Sequence, residues 1–563
     1  MNDKPRVRVK ATGERISAPA VRRTRAQYLR DGGTGILTMR RAVTRDGADE
    51  VRQSAERASA LAWSFIRNSG WISGAVDQII TDTIGDELKL SARPVLAGLG
   101  YDDKERRDWI SLVENAWHMH VWSAREYSLN GTSTLAEHLD GVMRYYLASG
   151  EGLGVIDFMP ARQRRKWGLS SGTKVSLVAP HRLKRETSEM AGLDQGIFLD
   201  PETKRPMTYR MIARKAGIDY DVDIPAHSGS LTKVIHVMDR GAEPDSVRGI
   251  SVLAPILKVV AQYDQLADAT LTTALLQTAF AATIKSPEPS SAAFDAIETI
   301  EDTDPDLAAD LLDVWGNRLD ALKEKGVSMD EHGRINHLGP GESFEMHTAA
   351  TPGSQYLPFS QNLQREMARR LGITFESFAM NHSNANYSSV RMAMSSIWPI
   401  VTRRRERIAA PFCQAVYEAW LDEQIGSGKI PFKGGYAAFA ANRQRVCNAE
   451  WPGPAQPVAD DYKATMAAAK RIELGLSSME DEASLMGRDA AATRQKIETE
   501  IIDMQARNIP IPFGRSVGGG GPMGAAMPSN GRVAPTASAL AASLEKELAD
   551  SLTGDGRPTE AAA

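Results

Sequence analysis

The spacing of apolar residues along the chain changes from helical to strand-like and back. From Asp49 to Thr83 apolar residues recur three or four positions apart, and Gly70 interrupts them, which predicts two helices joined by a turn. A second helical stretch runs from about Asp103 to Ser149. Short runs typical of strands follow it, at Val175–Val178, Thr208–Met211 and Lys233–Met238. Residues 46–250 are therefore expected to form an α+β domain.

A longer apolar stripe begins at Ser251, a residue type that can cap a helix, and continues to about residue 285. At about 1.5 Å per residue, such a helix would be on the order of 50 Å long. A helix of that length must pack against neighbours for most of its course. Pro287 and Pro289 would end it.

Residues 286–356 are expected to form a small α/β insertion after this helix. An acidic helix with leucines on one side is predicted from Leu307 to Leu322. The segments Arg334–Gly341 and Ser343–His347 indicate a turn between short strands. A return helix is then predicted from Pro358 to Leu371, and Gly372 is well placed to end it.

A polar loop, Met380–Tyr387, separates the return helix from another long helix over Ser388–Gln424. Pro399 and Pro411 lie inside that second helix, and each removes a backbone donor, so we expect two kinks. Further helices are predicted at residues 460–473, from 478, and at 489–507. Residues 508–563 are rich in glycine, proline and alanine and are expected to be disordered.

Composition and charge narrow the classes of function. The 563 residues carry a net charge of -4, which argues against a tight, non-specific DNA binder. Residues 1–45 are strongly basic and form either a solvated arm or a strap that contacts phosphates or an acidic neighbour. The longest uncharged apolar stretch, Ala269–Ile284, is shorter than the roughly 20 residues of a membrane span, so no membrane is expected. Two cysteines, Cys413 and Cys447, are too few for a disulfide framework and predict buried thiols in a reducing cytoplasm.

Catalytic and metal-binding motifs are weak in this sequence. Gly168–Gly172 matches the G-x-S-x-G pattern of serine hydrolases, but basic residues precede it and a strand follows, the reverse of the order that this chemistry needs. The phosphate-binding pattern G-x-x-x-x-G-K-[ST] occurs only as near misses at Gly172 and Gly428. His118 and His120 point in different directions on a helix, so no metal is expected and no cofactor is required.

A basic run on the second long helix offers a candidate nucleic-acid contact. Such a run is usually a solvated face, but around a DNA channel it could contact phosphates. The aromatic residues Trp398, Phe412, Tyr417 and Trp420 are better explained by core packing than by base stacking. The arginines of the run are Arg403, Arg404, Arg405 and Arg407.

Several segments together resemble the lambda family of tailed-bacteriophage portal proteins. No single segment is diagnostic, but their order and spacing over about residues 20–490 are specific. The segments are Arg67–Trp71, Gly150–Glu151, Arg248–Pro255, Leu338–Glu342, Leu363–Gly372, Asn386–Arg391, Trp451–Pro454 and Gly475–Leu476.

This resemblance implies a mainly helical α+β portal fold that assembles as a homo-oligomeric ring, twelve subunits in the assembled family members. It implies a channel for double-stranded DNA at one capsid vertex, and partners that include the terminase large subunit, head-tail connector proteins, and the major capsid and scaffolding proteins. The protein would be assembled in the host cytoplasm and located in the virion. No catalytic site is implied.

The resemblance also divides the chain into named regions. The candidate DNA contacts in the tunnel loop are Asn381, His382, Ser383, Asn384, Asn386 and Tyr387. The chain departs from the family mainly in its termini, the basic arm (1–45) and the tail (508–563). The regions between them are the wing (46–250), the stem helix (251–285), the clip (286–356), the return stem helix (357–378), the tunnel loop (379–387), the kinked helix that closes the wing (388–457) and the crown (458–507).

Two other classes of protein remain open on the sequence alone. A scaffold or adaptor would build a coiled coil from the long helices, but its heptads would have to continue through Pro399 and Pro411. A serine hydrolase depends only on the G-x-S-x-G match at Ser170 and is the weaker alternative.

Overall fold

The fold is seen in a computed structural model that describes residues 46–240, 244, 246–279, 282–285, 313, 343–346, 353–383, 386–458 and 460–511. The predictions for the basic arm, for the acidic helix and the 334–341 strand of the clip, and for the tail beyond residue 511 lie outside the described residues.

The predicted pair of N-terminal helices is confirmed as α1 (Gly47–Asn68) and α2 (Gly70–Ile84), which are separated at the extended Ser69. The predicted helical stretch 103–149 consists of three helices, α3 (Asp103–Trp122), α4 (Ala124–Tyr127) and α5 (Leu135–Ser149). Helix α3 begins at a capping box formed by Asp102 and Glu105, and α5 begins at one formed by Thr134 and Glu137. Each pair of side chains accepts hydrogen bonds from backbone N–H groups of the first turn.

The predicted strands are present and belong to two antiparallel sheets. One sheet has the order β10-β2-β3 and the other β4-β5-β6-β7. A short helix, α6 (Ala161–Trp167), connects β2 to β3. The strands are β1 (Ser91–Ala92), β2 (Glu151–Phe158), β3 (Thr173–Val178), β4 (Leu193–Asp194), β5 (Ile197–Leu199), β6 (Pro206–Lys215), β7 (Ile218–Pro225), β8 (His227–Ser228), β9 (Leu231–Thr232) and β10 (Val234–Met238).

The first stem helix is shorter than predicted. It is α7 (Leu257–Ala279), about 35 Å long at 1.5 Å per residue, and a 3₁₀ turn at Ala254–Ile256 precedes it. Ser251 does not cap α7, because its hydroxyl donates to the Leu147 carbonyl at 2.9 Å and accepts from the Leu253 amide. The predicted helix 251–285 is therefore wrong at both ends.

A strand replaces the predicted end of that helix. Strand β11 (Ala282–Lys285) pairs antiparallel with β12 (Ser343–Met346), and Lys285 lies opposite Ser343. The β-branched pair Thr283 and Ile284 favours extended backbone over helix. The strand predicted at 343–346 is confirmed, and this ribbon closes the chain segment between the two stem helices.

The return helix is confirmed as α8 (Tyr356–Leu371), and Gly372 ends it in the left-handed conformation at φ 71°. A short helix, α9 (Phe375–Ala379), follows. The first residues of α7 lie beside the last turns of α8, where the Gln364 side chain donates to the Tyr263 hydroxyl at 3.0 Å. The two stem helices are thus antiparallel neighbours.

The predicted kinked helix is interrupted once. Helix α10 (Tyr387–Arg404) contains Pro399 without a break, a π turn covers Arg405–Ala409, and α11 (Ala410–Gly426) follows. Pro411 has no N–H for the carbonyl one turn earlier, and a widened turn beside it accommodates the ring. The interruption that the sequence predicted at Pro411 is therefore present as a π turn.

The predicted helices after residue 458 are present, and two short helices within 435–446 were not predicted from the sequence. Side chains of Asp460 and Ser478 cap the first two crown helices. The chain divides into two compact units, Met1–Thr493 and Arg494–Ala563, and the described part of the second unit is residues 494–511. The elements are α12 (Gly435–Ala441), α13 (Arg443–Val446), β13 (Ala449–Glu450), α14 (Asp461–Glu473), α15 (Met479–Leu485) and α16 (Ala490–Ala506).

One hydrophobic core crosses the predicted boundary at residue 250. It extends from Ala62 on α1 to Trp451, and α11 contributes fully buried Phe412 and Tyr417. Strand β1 pairs with β13 across more than 350 residues of sequence. The wing is therefore closed by the segment after the stem, because neither part of the core is complete without the other. Among the described residues, no helix is long and apolar enough to cross a bilayer.

Candidate nucleic-acid interface

The polar loop between α9 and α10 is organised by local hydrogen bonds. Met380 ends α9 in the left-handed conformation, at φ 49°. The Asn381 side chain accepts from the Ser383 amide at 3.1 Å and from the Ser383 hydroxyl at 2.7 Å. This is the short-range bonding expected of asparagine in turns. Asn384 lies outside the described residues.

The last part of the loop begins the next helix. The Asn386 side chain accepts a hydrogen bond from the Ser389 amide at 2.8 Å. The Ser389 hydroxyl oxygen accepts one from the Asn386 amide, so the two residues form a capping box. Tyr387 is the first residue of α10. His382 is exposed and has no protein hydrogen bond among the described residues. His382 and Ser383 thus lie at the surface of the loop, while Asn386 caps the N-terminus of α10.

The arginine run has two buried and two exposed members. Arg404 and Arg405 are buried, whereas the side chains of Arg403 and Arg407 are 52% and 50% exposed. The expectation of one solvated face is wrong for Arg404 and Arg405. Arg403 and Arg407 are four positions apart and share one face of the helical segment, whereas Arg404 and Arg405 lie on the faces that pack against the core.

Arg405 holds three parts of the wing together. Its Nε donates to the Thr83 carbonyl at 2.9 Å and its Nη2 to the Pro454 carbonyl at 3.1 Å. The guanidinium also lies 5.9 Å from the centre of the Trp398 ring. Burial lowers the pKa of Arg405, but three backbone and aromatic partners stabilise its charge. Arg405 is therefore a structural residue of the wing.

The exposed pair of arginines shares one carboxylate. Arg403 Nη2 lies 2.7 Å from Asp239 Oδ2, and Arg407 Nη1 lies 2.9 Å from Asp239 Oδ1. Asp239 directly follows the last residue of β10, so the β10-β2-β3 sheet fixes the position of the two guanidinium groups. About half of each arginine side chain remains open to solvent.

The G-x-S-x-G segment has a structural explanation. Helix α6 precedes it and β3 follows, which confirms the strand predicted after the motif and gives the reverse of the strand-turn-helix order of a serine hydrolase. Four successive amides of the turn donate to two carboxylates. The amides of Ser170 and Ser171 bond Glu126 at 2.8 and 3.1 Å, and those of Gly172 and Thr173 bond Glu423 at 2.5 and 2.8 Å. The turn therefore binds the chain's own acidic side chains.

His120 and the two cysteine thiols are core residues. His120 is buried against the Trp420 ring, and burial lowers its pKa to about 3, so it is neutral. His118, two residues away, is exposed, as the helical spacing predicted. Burial raises the pKa of Cys413 and Cys447, which are both free. The part of the chain that the structure describes contains no cluster of histidine, cysteine or acidic residues suited to a metal.

A buried ion pair that sequence reasoning missed lies in the wing, close to where the chain enters the stem. Arg248 donates to Glu151 from Nη2 at 2.6 Å and from Nε at 2.9 Å, and both side chains are fully buried. His236 Nε2 lies 3.0 Å from the same carboxylate. Burial alone would raise the pKa of Glu151, but the Arg248 charge and the His236 bond hold it far below its usual value. Both residues belong to segments that carried the family resemblance.

The comparison with known families identifies the class of protein. Residues 35–405 match the family model described as phage portal protein, lambda family. The match covers more than half of the 563 residues, so the chain belongs to the lambda family of phage portal proteins. The resemblance stated from the sequence is confirmed, as is the mainly helical α+β fold.

Two relatives and two solved structures illustrate the likeness. The chain is 24% identical over 481 residues to portal protein B of Escherichia phage lambda, covering 81% of this chain and 85% of the relative. It is 23% identical over 456 residues to the portal protein of Escherichia phage N15, covering 77% and 81%. The neck of an empty GTA particle computed with C6 symmetry matches with a TM-score of 0.41 at 13% identity, over 76% of this chain and 93% of that one. The virion of a native gene transfer agent particle matches with a TM-score of 0.40 at 12% identity, over 80% and 98%.

Proposed function

We propose that this portal protein assembles into a ring of identical copies at one capsid vertex and that double-stranded DNA is packaged and ejected through the ring. Twelve copies is the number that the family resemblance implies. In this role the protein needs no catalytic site, metal or cofactor, because ATP hydrolysis for packaging is supplied by the terminase. The ring is assembled in the host cytoplasm and ends in the virion.

The observation that carries this proposal is the exposed apolar surface of the stem. The wing ends of α7 and α8 are held in the core by Val260 and Leu371. Further along α7, Leu271 and Leu275 are each 61% exposed, and Leu357 at the far end of α8 is 63% exposed. Leucines left in water along a helix pair favour association, since burial contributes about 25 cal/mol per Å². Neighbouring copies of the same stem would cover them.

The channel contacts are proposed to be weak and replaceable. A conduit must not hold DNA tightly, because each neutralised phosphate adds affinity through counterion release. The net charge of -4 and the lysine-free loop at His382 and Ser383 suit sliding. Arg403 and Arg407 already share Asp239, which limits how strongly they attract a phosphate.

The clip, residues 286–356, is proposed to dock the terminase large subunit and later the head-tail connector proteins. The wing and crown would face the major capsid and scaffolding proteins. Strands β11 and β12 support the assignment of the clip boundary, because their antiparallel pairing brings the two ends of the intervening segment together at the end of the stem.

Electron microscopy of the purified protein tests the ring directly. Wild type is expected to show rings with a central hole, and Leu271→Asp with Leu275→Asp is expected to reduce ring formation at least tenfold, because two charges per copy would be buried at the interface. Met190→Asp is the matched control, since Met190 is fully exposed on the wing. A protein that stays monomeric under all assembly conditions would contradict the proposal.

A further inference from the structure

A cleft lies on the wing between the end of α8, the junction of α10 with the π turn, and the chain that precedes the stem. Its volume is about 510 Å³. Six arginines line it, namely Arg248, Arg369, Arg370, Arg403, Arg404 and Arg407. The sequence brings them from three distant segments, so the basic run at 403–407 is only half of this surface.

The lining carries an excess of positive charge. The buried Glu151 carboxylate neutralises Arg248. The Asp239 carboxylate can neutralise either Arg403 or Arg407, which share it. Arg369 has no acidic partner among the described residues, and Arg370 is held by a neutral group, the Val252 carbonyl, at 2.8 Å. About four guanidinium charges therefore lack a counter-charge within the part of the chain that the structure describes.

Arg404 is the most informative member of the cleft. Its side chain is buried to more than nine-tenths, and its Nη1 has no hydrogen-bond partner. Burial lowers its pKa, the neutral Tyr146 hydroxyl partly opposes this, and the nearby Arg370 and Arg403 lower it further. A guanidinium that is desolvated beside other cations is costly unless an anion joins it.

We propose that this cleft is a phosphate-binding site in which Arg404, Arg369 and Arg403 surround one or two phosphate groups. The inference deepens the phosphate contact proposed above and depends on the channel function only when the phosphates belong to DNA. The shared chemistry is the phosphate group, from either a nucleic-acid backbone or free phosphate.

Phosphate fits the lining better than a carboxylate does. Arginine presents a planar fork of donors that matches the oxygens of phosphate, and several forks can bind one tetrahedral group from different sides. A single carboxylate would neutralise one charge and leave the others exposed to each other. Asp239 at the rim already provides the carboxylate contact for Arg403 and Arg407.

Calorimetric titration of the full chain with inorganic phosphate, at constant ionic strength set with chloride, tests the site. Wild type is expected to bind. Arg369→Gln is expected to weaken binding about tenfold, the equivalent of one charged hydrogen bond. Arg162→Gln is the matched control: it removes an exposed arginine of α6 outside the cleft and should leave the affinity unchanged. Equal affinities in all three proteins would overturn the proposal.

Thermal unfolding provides a second readout that does not depend on the affinity measurement. Arg404→Met removes the buried charge, so this variant is expected to unfold at a higher temperature than wild type without phosphate and to lose the stabilisation that phosphate gives. A phosphate response as large as that of wild type would count against the site. If Arg404→Met does not fold, Arg369→Gln alone decides.

Two further titrations separate the sources of the phosphate. A short DNA duplex that competes with inorganic phosphate in wild type, and not in Arg369→Gln, would assign the cleft to nucleic acid. Inorganic phosphate or pyrophosphate binding without competition by duplex would assign it to a free anion. Ring formation, seen by electron microscopy of the same samples, reports separately on the channel function. Binding of an acidic peptide in place of both phosphate probes would reject the proposal.

Discussion

Glu151 and Arg248 form a bidentate ion pair that joins the first residue of β2 to the chain entering the stem, with Nη2 to Oε1 at 2.6 Å and neither side chain exposed to solvent. The glycines beside them permit this approach. A Cβ added at Gly249 would lie 2.4 Å from the Gly150 carbonyl carbon. The pair and the glycines fix where the stem leaves the wing, because the two backbones cross without room for a side chain.

Removing the carboxylate charge should therefore destabilise the wing strongly. Glu151→Gln leaves Arg248 buried without a counter-charge, and we expect a loss of about 3–5 kcal/mol in the free energy of unfolding, measured with urea. Asp223→Asn is the control, since Asp223 pairs with Arg210 on an exposed face and its loss should have little effect. Similar losses in both variants would show that the buried pair has no special role.

The pH dependence of stability should carry a signature of Glu114. Burial raises the pKa of this carboxyl to about 7, and the nearby Asp489 carboxylate adds to the rise. The Ala92 amide, which donates to Glu114 at 2.8 Å, and the Arg93 charge oppose it. A raised pKa in the folded state favours the protonated form, so stability is full below about pH 4.5, the ordinary value, and declines as the pH rises through 7.

Glu114→Gln tests this dependence, because the amide cannot ionise and keeps an oxygen for the Ala92 amide. The variant should unfold at a temperature a few degrees higher than wild type at pH 8 and at a similar temperature at pH 5. Glu50→Gln, on the exposed first turn of α1, is a suitable control that should show no such difference. An equal effect of Glu114→Gln at both pH values would contradict the assignment.

The elements that could be predicted from the sequence are those that local patterns determine. The helix pair around Gly70, the return helix ended by Gly372 and the strands of the wing follow from apolar spacing and glycine positions. The predicted stem helix is too long because Ala269–Ile284 is uncharged and contains no glycine or proline that would stop a helix. The helix ends earlier than predicted because Thr283 and Ile284 pair as a strand with residues about 60 positions further along the chain.

The sites depend on long-range contacts that spacing cannot reveal. Arg403, Arg404, Arg405 and Arg407 are consecutive basic residues in the sequence, yet contacts with distant segments bury Arg404 and Arg405 and leave Arg403 and Arg407 exposed. Glu151 and Arg248 belong to two separate segments of the family resemblance, and nothing local in the sequence indicates that their side chains meet. The exposed His382, in contrast, lies in a polar loop as the sequence predicted.

The ribbon of β11 and β12 allows a clean test of the clip. Because Lys285 lies directly opposite Ser343, residues 286–342 can be replaced by an Asn-Gly turn that joins the paired strand ends. The shortened protein is expected to form rings as wild type does but to lose binding to the terminase large subunit in a pull-down. Rings that still bind terminase and package DNA at the normal rate would show that the clip lies elsewhere.

The tunnel-loop prediction can be tested without disturbing the bonds that hold the loop. His382→Lys with Asn384→Lys adds two charges per copy and leaves the Asn381 and Asn386 hydrogen bonds intact. Each lysine that neutralises a phosphate strengthens the hold on DNA, so packaging in vitro should slow or stall, and added salt should partly restore the rate because screening weakens the same contact. Glutamine at both positions is the control for side-chain size and should package at the wild-type rate. If the lysine variant packages as fast as wild type at low salt, the loop does not meet the DNA, and its polar residues serve only to end α9 and begin α10.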